Sequence, residues 1–92
     1  MKSIQPIHDF VLEGARHYVY HASTNQGLPR HSHSYAHATV CHGGKLAVRK
    51  EGIYIEMTKE TTPILLKAGE WHELEALEDN TVFENIFKDG AY

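Results

Sequence analysis

The sequence predicts a single all-β domain, either a sandwich or a barrel. Apolar and polar residues alternate with period two in several short runs, turn-forming residues separate these runs, and the period of an amphipathic helix is scarcely found. Seven or eight short strands result, which is typical of sandwiches and barrels. A length of 92 residues suits one domain, 1–92, and 41% hydrophobic with 23% charged residues is an ordinary globular balance.

The first half of the chain predicts three strands. The apolar run Phe10–Leu12 stops at a glycine, and residues 17–21 are rich in strand-forming residues. Residues 23–29 form a loop by composition. The histidine-rich run 31–41 follows as an extended strand, before a tight turn at Gly43-Gly44.

The second half predicts five more strands separated by short turns. One of them begins with a proline, which costs no ladder hydrogen bond at that position. Another alternates cleanly and places His72, Leu74 and Ala76 on one face. Good helix formers between residues 70 and 79 leave a helix as the alternative in that segment. The five predicted strands are 45–49, 53–57, 63–67, 71–77 and 81–87.

Composition and charge argue against several classes of protein. Nine Lys and Arg against twelve Asp and Glu give a formal net charge of −3, whereas a nucleic-acid surface usually needs a basic stripe. The single cysteine, Cys41, rules out an internal disulfide and a cysteine-rich zinc finger, and we expect it in the core. No apolar stretch has the length of a signal peptide or a membrane span. We therefore expect a cytoplasmic protein that contacts neither nucleic acid nor membrane.

The most informative pattern is the run His31-Ser-His33-Ser-Tyr-Ala-His37, joined by a fourth histidine, His72. On a regular strand the first three lie on one face, whereas on a helix His31 and His33 point about 200° apart. Imidazole is a common ligand of zinc, copper, iron and nickel. Taken alone, His31 and His33 would more often be exposed loop residues. Together the four predict a site for one divalent transition metal, with His31, His33, His37 and His72 as ligands.

The histidine run resembles the first motif of the cupin family. The spacing of that motif holds throughout: His31-Ser-His33 is followed by three residues and His37, and then by six residues and Gly44. His37 stands where the family usually has Glu, a replacement that is known among small cupins that bind one metal with four histidines. The resemblance therefore implies the same four-histidine ligand set.

The second cupin motif is matched less fully. Gly69-Glu-Trp-His72 follows its spacing, but Lys67 replaces the usual Pro and Ala76 the usual Asn. The resemblance covers about residues 28–87 and implies a small single-domain cupin. Its expected fold is a jelly-roll β-barrel of two antiparallel sheets, with the metal inside the mouth.

The leading functional hypothesis is a metal-dependent enzyme of dioxygenase type that acts on a small oxygenated organic molecule. The metal is Fe, Mn, Cu, Ni or Zn; an octahedral ion would keep two open positions, whereas a closed tetrahedral zinc site would be structural. The alternatives are a non-catalytic small-molecule or metal-binding protein such as a sensor, and a metal-assisted isomerase or lyase. Tyr35 is a weak candidate for a catalytic residue, since a bend after His33 would turn it outward.

A barrel of this length has edge strands to cover, and a twofold dimer is the commonest closed solution. We therefore expect a homodimer besides the small-molecule ligand or substrate. The candidate interface residues are Phe10, Val11, Tyr18 and Tyr20.

Overall fold

The computed structural model describes residues 1–91 and confirms the all-β class. Within that range the secondary structure consists of ten strands without a helix. Accordingly, no described helix is long and apolar enough to cross a membrane. The strands are β1 (Lys2–Ser3), β2 (His8–Leu12), β3 (Ala15–Ala22), β4 (Gln26–His31), β5 (His37–Gly43), β6 (Leu46–Lys50), β7 (Ile53–Met57), β8 (Ile64–Leu66), β9 (His72–Ala76) and β10 (Thr81–Lys88).

Two five-stranded sheets form the domain. The first sheet has the order β1-β4-β9-β6-β7, and the second has the order β2-β3-β10-β5-β8. All pairs are antiparallel except β1 with β4. Neighbours in each sheet are mostly distant in sequence, so the chain passes repeatedly from one sheet to the other, as the predicted jelly roll requires.

Two sequence predictions of local structure are wrong. The segment 23–29, predicted as a loop, contributes most of β4, where Gly27 pairs with β9. An alanine side chain at Gly27 would lie 1.9 Å from the Leu74 carbonyl oxygen, so the close approach of these strands requires glycine. The histidine run 31–41 is not one strand, because β4 ends at His31 and β5 begins at His37 in the other sheet. By contrast, the strand predicted at 71–77 is confirmed by β9, which leaves no helix in the segment 70–79.

The hydrophobic core lies between the sheets and towards one end of them. Along β9 burial alternates, and His72, Leu74 and Ala76 face inward as predicted. Ala76 pairs with Leu46 at the filled end, whereas His72 pairs with Lys50 at the other end. The fully buried side chains of the core include Leu46, Val48, Met57, Leu66, Leu74 and Phe83.

A tight turn at Gly44 closes the filled end of the domain. Its φ of 72° lies in the left-handed region, and an added Cβ would meet the Thr81 Oγ1 at 2.4 Å. Thr81 itself is buried and donates a hydrogen bond to the Glu78 carbonyl at 2.8 Å. With this end packed, the open end remains for a cavity.

Candidate metal centre

Three of the four predicted ligands converge at the open end of the two sheets. His31, at the end of β4, pairs directly with His72, at the start of β9, so their side chains share the inner face of the first sheet. His33 lies in the link between β4 and β5. One ring nitrogen from each of His31, His33 and His72 lies within 4.8 Å of the others.

The fourth predicted ligand, His37, comes from the opposite sheet. It starts β5 and is 3% exposed. Its Nε2 lies 3.4 Å from the Nε2 of His72, and its ring centroid is 5.1 Å from that of His33. His37 therefore adjoins the cluster through His72 but is not one of the three residues whose nitrogens all lie within 4.8 Å of one another.

This convergence has a different origin from the one the sequence predicted. Period-two alternation along a single strand was expected to align His31, His33 and His37. Instead, the chain crosses between the sheets at residues 32–36 and places His31 and His37 on facing sheets. The crossing is tied to the turn before β9, because the Gly69 N–H donates to the His33 carbonyl at 2.8 Å. Gly69 has a φ of 76°, the left-handed conformation that glycine adopts at least cost.

Backbone carbonyls set the tautomer of the three clustered imidazoles. His31, His33 and His72 each have Nδ1 within hydrogen-bond distance of a carbonyl oxygen two residues away, at 2.6, 3.2 and 3.0 Å respectively. A carbonyl oxygen only accepts, so in each ring Nδ1 carries the proton and donates it. Nε2 of each ring is left with an unshared electron pair, which is the form that binds a metal.

A side-chain relay sets the tautomer of His37 in the same sense. The Thr39 hydroxyl donates to the Asn85 Oδ1 at 2.7 Å, which uses its only proton. Its oxygen also lies 3.3 Å from the Nδ1 of His37, so at this contact it accepts and Nδ1–H of His37 donates. Nε2 of His37 therefore also carries an electron pair. Thr39 and Asn85 are 0% and 6% exposed, so water does not compete for these bonds.

The donor set fits a divalent transition metal. The Nε2 atoms of His37 and His72 face each other at 3.4 Å, and in these tautomers neither carries a proton to share. Two facing electron pairs repel unless a cation accepts both of them. A ring nitrogen that binds a metal while the other donates to a carbonyl or a hydroxyl is the usual arrangement of metal-binding histidines.

The environment keeps these imidazoles neutral, as metal binding requires. Burial lowers the pKa of His37 to about 3, and repulsion from His72 and His33 adds to the effect. Burial also lowers the pKa of His72 to about 4, against the opposing effect of its hydrogen bond to the Glu70 carbonyl. The pKa of His33 is lowered as well, chiefly by burial.

A cavity of about 440 Å³ opens beside the cluster. Among the described residues that line it there is no Asp, Glu, Lys or Arg. Aromatic rings form much of the wall: Tyr35 stacks on His33 with centroids 4.3 Å apart and lies 4.8 Å from the ring of Phe87. The remaining lining comes mainly from the N-terminal segment and from inward residues of β3, β4 and β10: Ser3, Ile4, Gln5, Pro6, Tyr18, Tyr20, Leu28, Pro29 and Asn85.

Tyr35 therefore lies at the site, and the bend after His33 does not turn it away. Burial raises the pKa of the Tyr35 phenol, so it stays protonated and able to donate a hydrogen bond at neutral pH. Thr39 and Asn85 are not among the site residues that the sequence predicted. Thr39 lies two residues after His37 on the same strand, so the period-two argument would have found it, whereas Asn85 is brought near only by the pairing of β10 with β5.

The other histidines and the cysteine lie away from the cluster. His8 and His21 are exposed, and His17 and His42 bind Glu84 on the outer surface of the second sheet. Cys41 is 2% exposed and belongs to the core, as predicted.

Comparisons with known proteins give the fold but no closer relation. No protein-family model matches the chain, and no curated protein sequence matches it. Solved structures do match. An uncharacterized conserved protein with a double-stranded β-helix domain from Klebsiella pneumoniae superimposes with a TM-score of 0.74 at 19% identity, over 94% of this chain and 74% of the other.

Two further structures have similar agreement. KdgF from a Halomonas species gives a TM-score of 0.78 at 13% identity, over 88% of this chain and 74% of the other. A cupin protein from Bacteroides fragilis gives a TM-score of 0.70 at 24% identity, over 88% of this chain and 71% of the other. The fold is thus the cupin double-stranded β-helix, with a histidine cluster in its open end.

Proposed function

We propose that the protein is a metal-dependent enzyme of dioxygenase type, with His31, His33 and His72 as the core of the metal site and His37 as the fourth ligand. The observation that carries the proposal is the set of four imidazoles with unprotonated Nε2 atoms beside an uncharged, aromatic cavity. His37 completes the set because its Nε2 lies 3.4 Å from that of His72 and its Nδ1–H is already bound.

A divalent ion held by the neutral imidazoles of His31, His33, His37 and His72 would keep its full charge, and it would supply the Lewis-acid and redox chemistry that a reaction with dioxygen needs. Iron, manganese or copper suits this chemistry, since zinc has no redox activity. Nickel is the remaining candidate from the ligand type.

The cavity favours a small, flat, oxygenated organic substrate. The lining supplies no charged group of its own, so the metal is the group that would neutralise a substrate oxyanion. The ring of Phe87 lies 4.8 Å from that of Tyr35, tilted by 31°, and 5.2 Å from that of Tyr18 in an edge-to-face arrangement. These aromatic rings offer apolar contact to a flat substrate. Catechols, enols and diketones combine such a shape with adjacent oxygens.

Two side chains can orient such a substrate. The protonated Tyr35 phenol is a hydrogen-bond donor beside His33. The Asn85 side chain lines the cavity, and with its Oδ1 bound by Thr39 it has amide N–H groups left for a ligand.

The test measures metal content and dioxygen consumption. Protein loaded with iron, manganese or copper is mixed with catechol-, enol- or diketone-like compounds, and the consumption of dioxygen is measured. The product is then analysed to find whether both oxygen atoms of dioxygen have been transferred to it. We expect the native chain to bind metal and to consume dioxygen, and we expect the His33→Ala variant to lose both the metal and the dioxygen consumption. His21→Ala is the matched control, because His21 is an exposed histidine outside the cluster and its removal should change neither quantity.

A second candidate is a binding protein without turnover. The observation in its favour is that, within the described chain, the cavity has no carboxylate or amine to act as a general acid or base. Tight binding of the same compounds to the metal-loaded protein without oxygen uptake or any product would favour this candidate. Conversion of such a compound without oxygen uptake would instead indicate a metal-assisted isomerase or lyase.

A further inference from the structure

The cavity wall formed by the second sheet carries polar side chains apart from the histidine cluster. Tyr18 and Tyr20 belong to β3, and Asn85 of β10 pairs directly with Tyr18, so these side chains share the inner face of the sheet. All three residues line the cavity. Tyr20 is 5% exposed and Asn85 is 6% exposed, and polar side chains buried to this extent normally have hydrogen-bond partners.

The polar groups of these three side chains open onto the cavity. Within residues 1–91, the hydroxyls of Tyr18 and Tyr20 have no hydrogen-bond partner. The Asn85 Oδ1 accepts from Thr39, whereas the Asn85 amide N–H groups have no partner in the same range. No side-chain nitrogen or oxygen of these residues is both sealed inside the protein and unpaired. The free groups are therefore accessible, and the space that they reach is the cavity.

The sequence predicted Tyr18 and Tyr20 at a subunit interface, and the structure corrects this assignment. Both tyrosines line the cavity, and Tyr20 packs its ring on that of Phe83 at 4.8 Å, so neither side chain lies on an outer face. Phe10 and Val11, the other two residues of that prediction, are 43% and 45% exposed. The two tyrosines are thus available to a ligand of the cavity and not to a partner chain.

The free groups match a ligand hydroxyl. A phenol hydroxyl donates one hydrogen bond and also accepts, and an amide N–H donates. Burial raises the pKa of Tyr20 to about 12, with smaller contributions from Tyr18 and Tyr35, so this phenol keeps its proton at neutral pH. The set therefore offers donors and acceptors side by side, and an alcohol group can use both kinds at once.

The charges near this wall disfavour a ligand carboxylate. Asp9 pairs with Tyr18 across β2 and β3, on the same face of the sheet. The nearby cation, Arg16, is bound to Asp9 at 2.5 Å and to Asp89 at 3.3 Å. A buried carboxylate needs a partner of opposite charge, and here it would meet a second carboxylate instead. The wall therefore favours an uncharged group.

The wall lies across the cavity from the fourth histidine. Asn85 pairs with Thr39 of β5 on one side and with Tyr18 of β3 on the other, so Tyr18 lies two strand spacings, about 10 Å, from the strand of His37. The Phe87 ring adjoins both Tyr35, beside His33, and Tyr18. A flat ring that rests against Phe87 with its oxygens towards the histidines would point its opposite edge at Tyr18 and Tyr20.

We propose that Tyr18, Tyr20 and the Asn85 amide form a subsite for an uncharged hydroxyl group at the far end of the substrate. The proposal rests on the proposed function for the end of the substrate that the metal holds. It narrows the substrate class to a flat molecule with adjacent oxygens on one side and an alcohol group on the other. The cavity of about 440 Å³ has the size of a site for such a molecule.

The test compares three catechols that differ in one substituent. 4-(Hydroxymethyl)catechol carries the alcohol, 4-ethylcatechol has nearly the same shape without it, and 3,4-dihydroxybenzoate carries a carboxylate. Their dissociation constants for the metal-loaded protein are measured by calorimetry without dioxygen, so that no turnover occurs. We expect 4-(hydroxymethyl)catechol to bind more tightly than 3,4-dihydroxybenzoate.

The decisive quantity is the preference, defined as the dissociation constant of 4-ethylcatechol divided by that of 4-(hydroxymethyl)catechol. Tyr20→Phe and Tyr18→Phe each remove one hydroxyl, and each should lower the preference about 3- to 10-fold, the range of one net hydrogen bond. Metal content should not change in either variant. Tyr54→Phe is the matched control: it also removes a hydroxyl, but Tyr54 is 52% exposed and binds Glu56, so the preference should stay that of the native chain.

Four outcomes would overturn the subsite. These are a preference that neither variant lowers, an equal decrease in the Tyr54→Phe control, tighter binding of 3,4-dihydroxybenzoate than of 4-(hydroxymethyl)catechol, and no binding of any of the three compounds. If Tyr20→Phe does not fold, Tyr18→Phe decides alone.

Dioxygen consumption, measured separately, distinguishes this failure from that of the proposed function. Consumption of a catechol by a protein whose preference neither variant lowers would refute the subsite alone. A preference that falls as expected in a protein that consumes no dioxygen would support the subsite and count against the dioxygenase.

Discussion

Replacing Thr39 by Val should weaken metal binding through His37 without touching the metal site directly. Val has nearly the shape of Thr but lacks the hydroxyl that accepts from the His37 Nδ1–H and donates to the Asn85 Oδ1. Because these groups are buried, both lose their partner and water does not replace it. His37 is then free to take the other tautomer or to rotate, and its Nε2 no longer points reliably at that of His72.

The size of the effect follows from the two lost hydrogen bonds. A buried donor or acceptor that is left unsatisfied costs about 1–3 kcal/mol. Loss of a partner that orients a metal-binding histidine typically lowers metal affinity about 10- to 100-fold, which corresponds to about 1.4–2.7 kcal/mol. Thr39→Ser keeps the hydroxyl and should restore most of the affinity.

The assay is a metal titration in competition with a chelator, paired with urea unfolding of the metal-free protein. Thr81→Val is the matched control: Thr81 is also 0% exposed and hydrogen-bonded, but it lies at the filled end of the domain. Both variants should lose stability, whereas only Thr39→Val should lose metal affinity. Equal affinity of native protein and Thr39→Val, or an equal loss in the Thr81 control, would refute the assigned role of Thr39.

The remaining predictions concern pH and the turns. The pKa is about 3 for His37 and about 4 for His72 in the folded state, below the value of 6.5 for a free histidine. As the pH falls below 6.5, the unfolded chain therefore takes up protons at these histidines before the folded chain does. The free energy of unfolding should thus be constant above pH 6.5 and decrease as the pH drops towards 4. Each histidine contributes up to about 1.4 kcal/mol per pH unit; urea unfolding of the metal-free protein that is independent of pH between 6.5 and 4.5 would contradict this. Gly69→Ala should cost about 1 kcal/mol from its positive φ alone, because its Cβ would meet nothing within 4 Å. Gly44→Ala should cost more, since its Cβ would also clash with Thr81; urea unfolding that ranks the two variants in the opposite order would refute the geometry of these turns.

Local pattern was enough to predict the fold class but not the strand pairing. Alternation along β9 gives the inward face of His72, Leu74 and Ala76, because that strand is regular and half buried. It failed for residues 23–29, where the polar composition indicates a loop but the pairing with β9 produces a strand. Pairing is a property of residues distant in sequence, and composition in a short window does not contain it.

The candidate site could be predicted as a set of residues but not as a geometry. The spacing of His31, His33 and His37 correctly predicted that these residues lie near one another. The predicted cause, a single regular strand, is wrong, because the run bends and its ends lie in different sheets. The bend also explains why His37 lies outside the cluster of three. Its place is determined by β5 and the second sheet, whereas His31 and His72 are neighbours across one pair of strands.

The division of the four histidines between two sheets makes the Thr39–Asn85 pair important for the position of His37. His31, His33 and His72 donate to backbone carbonyls two residues away, so their orientation follows from the local chain. The orientation of the His37 ring depends on β10, because Asn85 of that strand accepts a hydrogen bond from the Thr39 hydroxyl, and the same hydroxyl contacts Nδ1 of His37. A change in the packing of the second sheet would therefore reach this fourth imidazole before the other three.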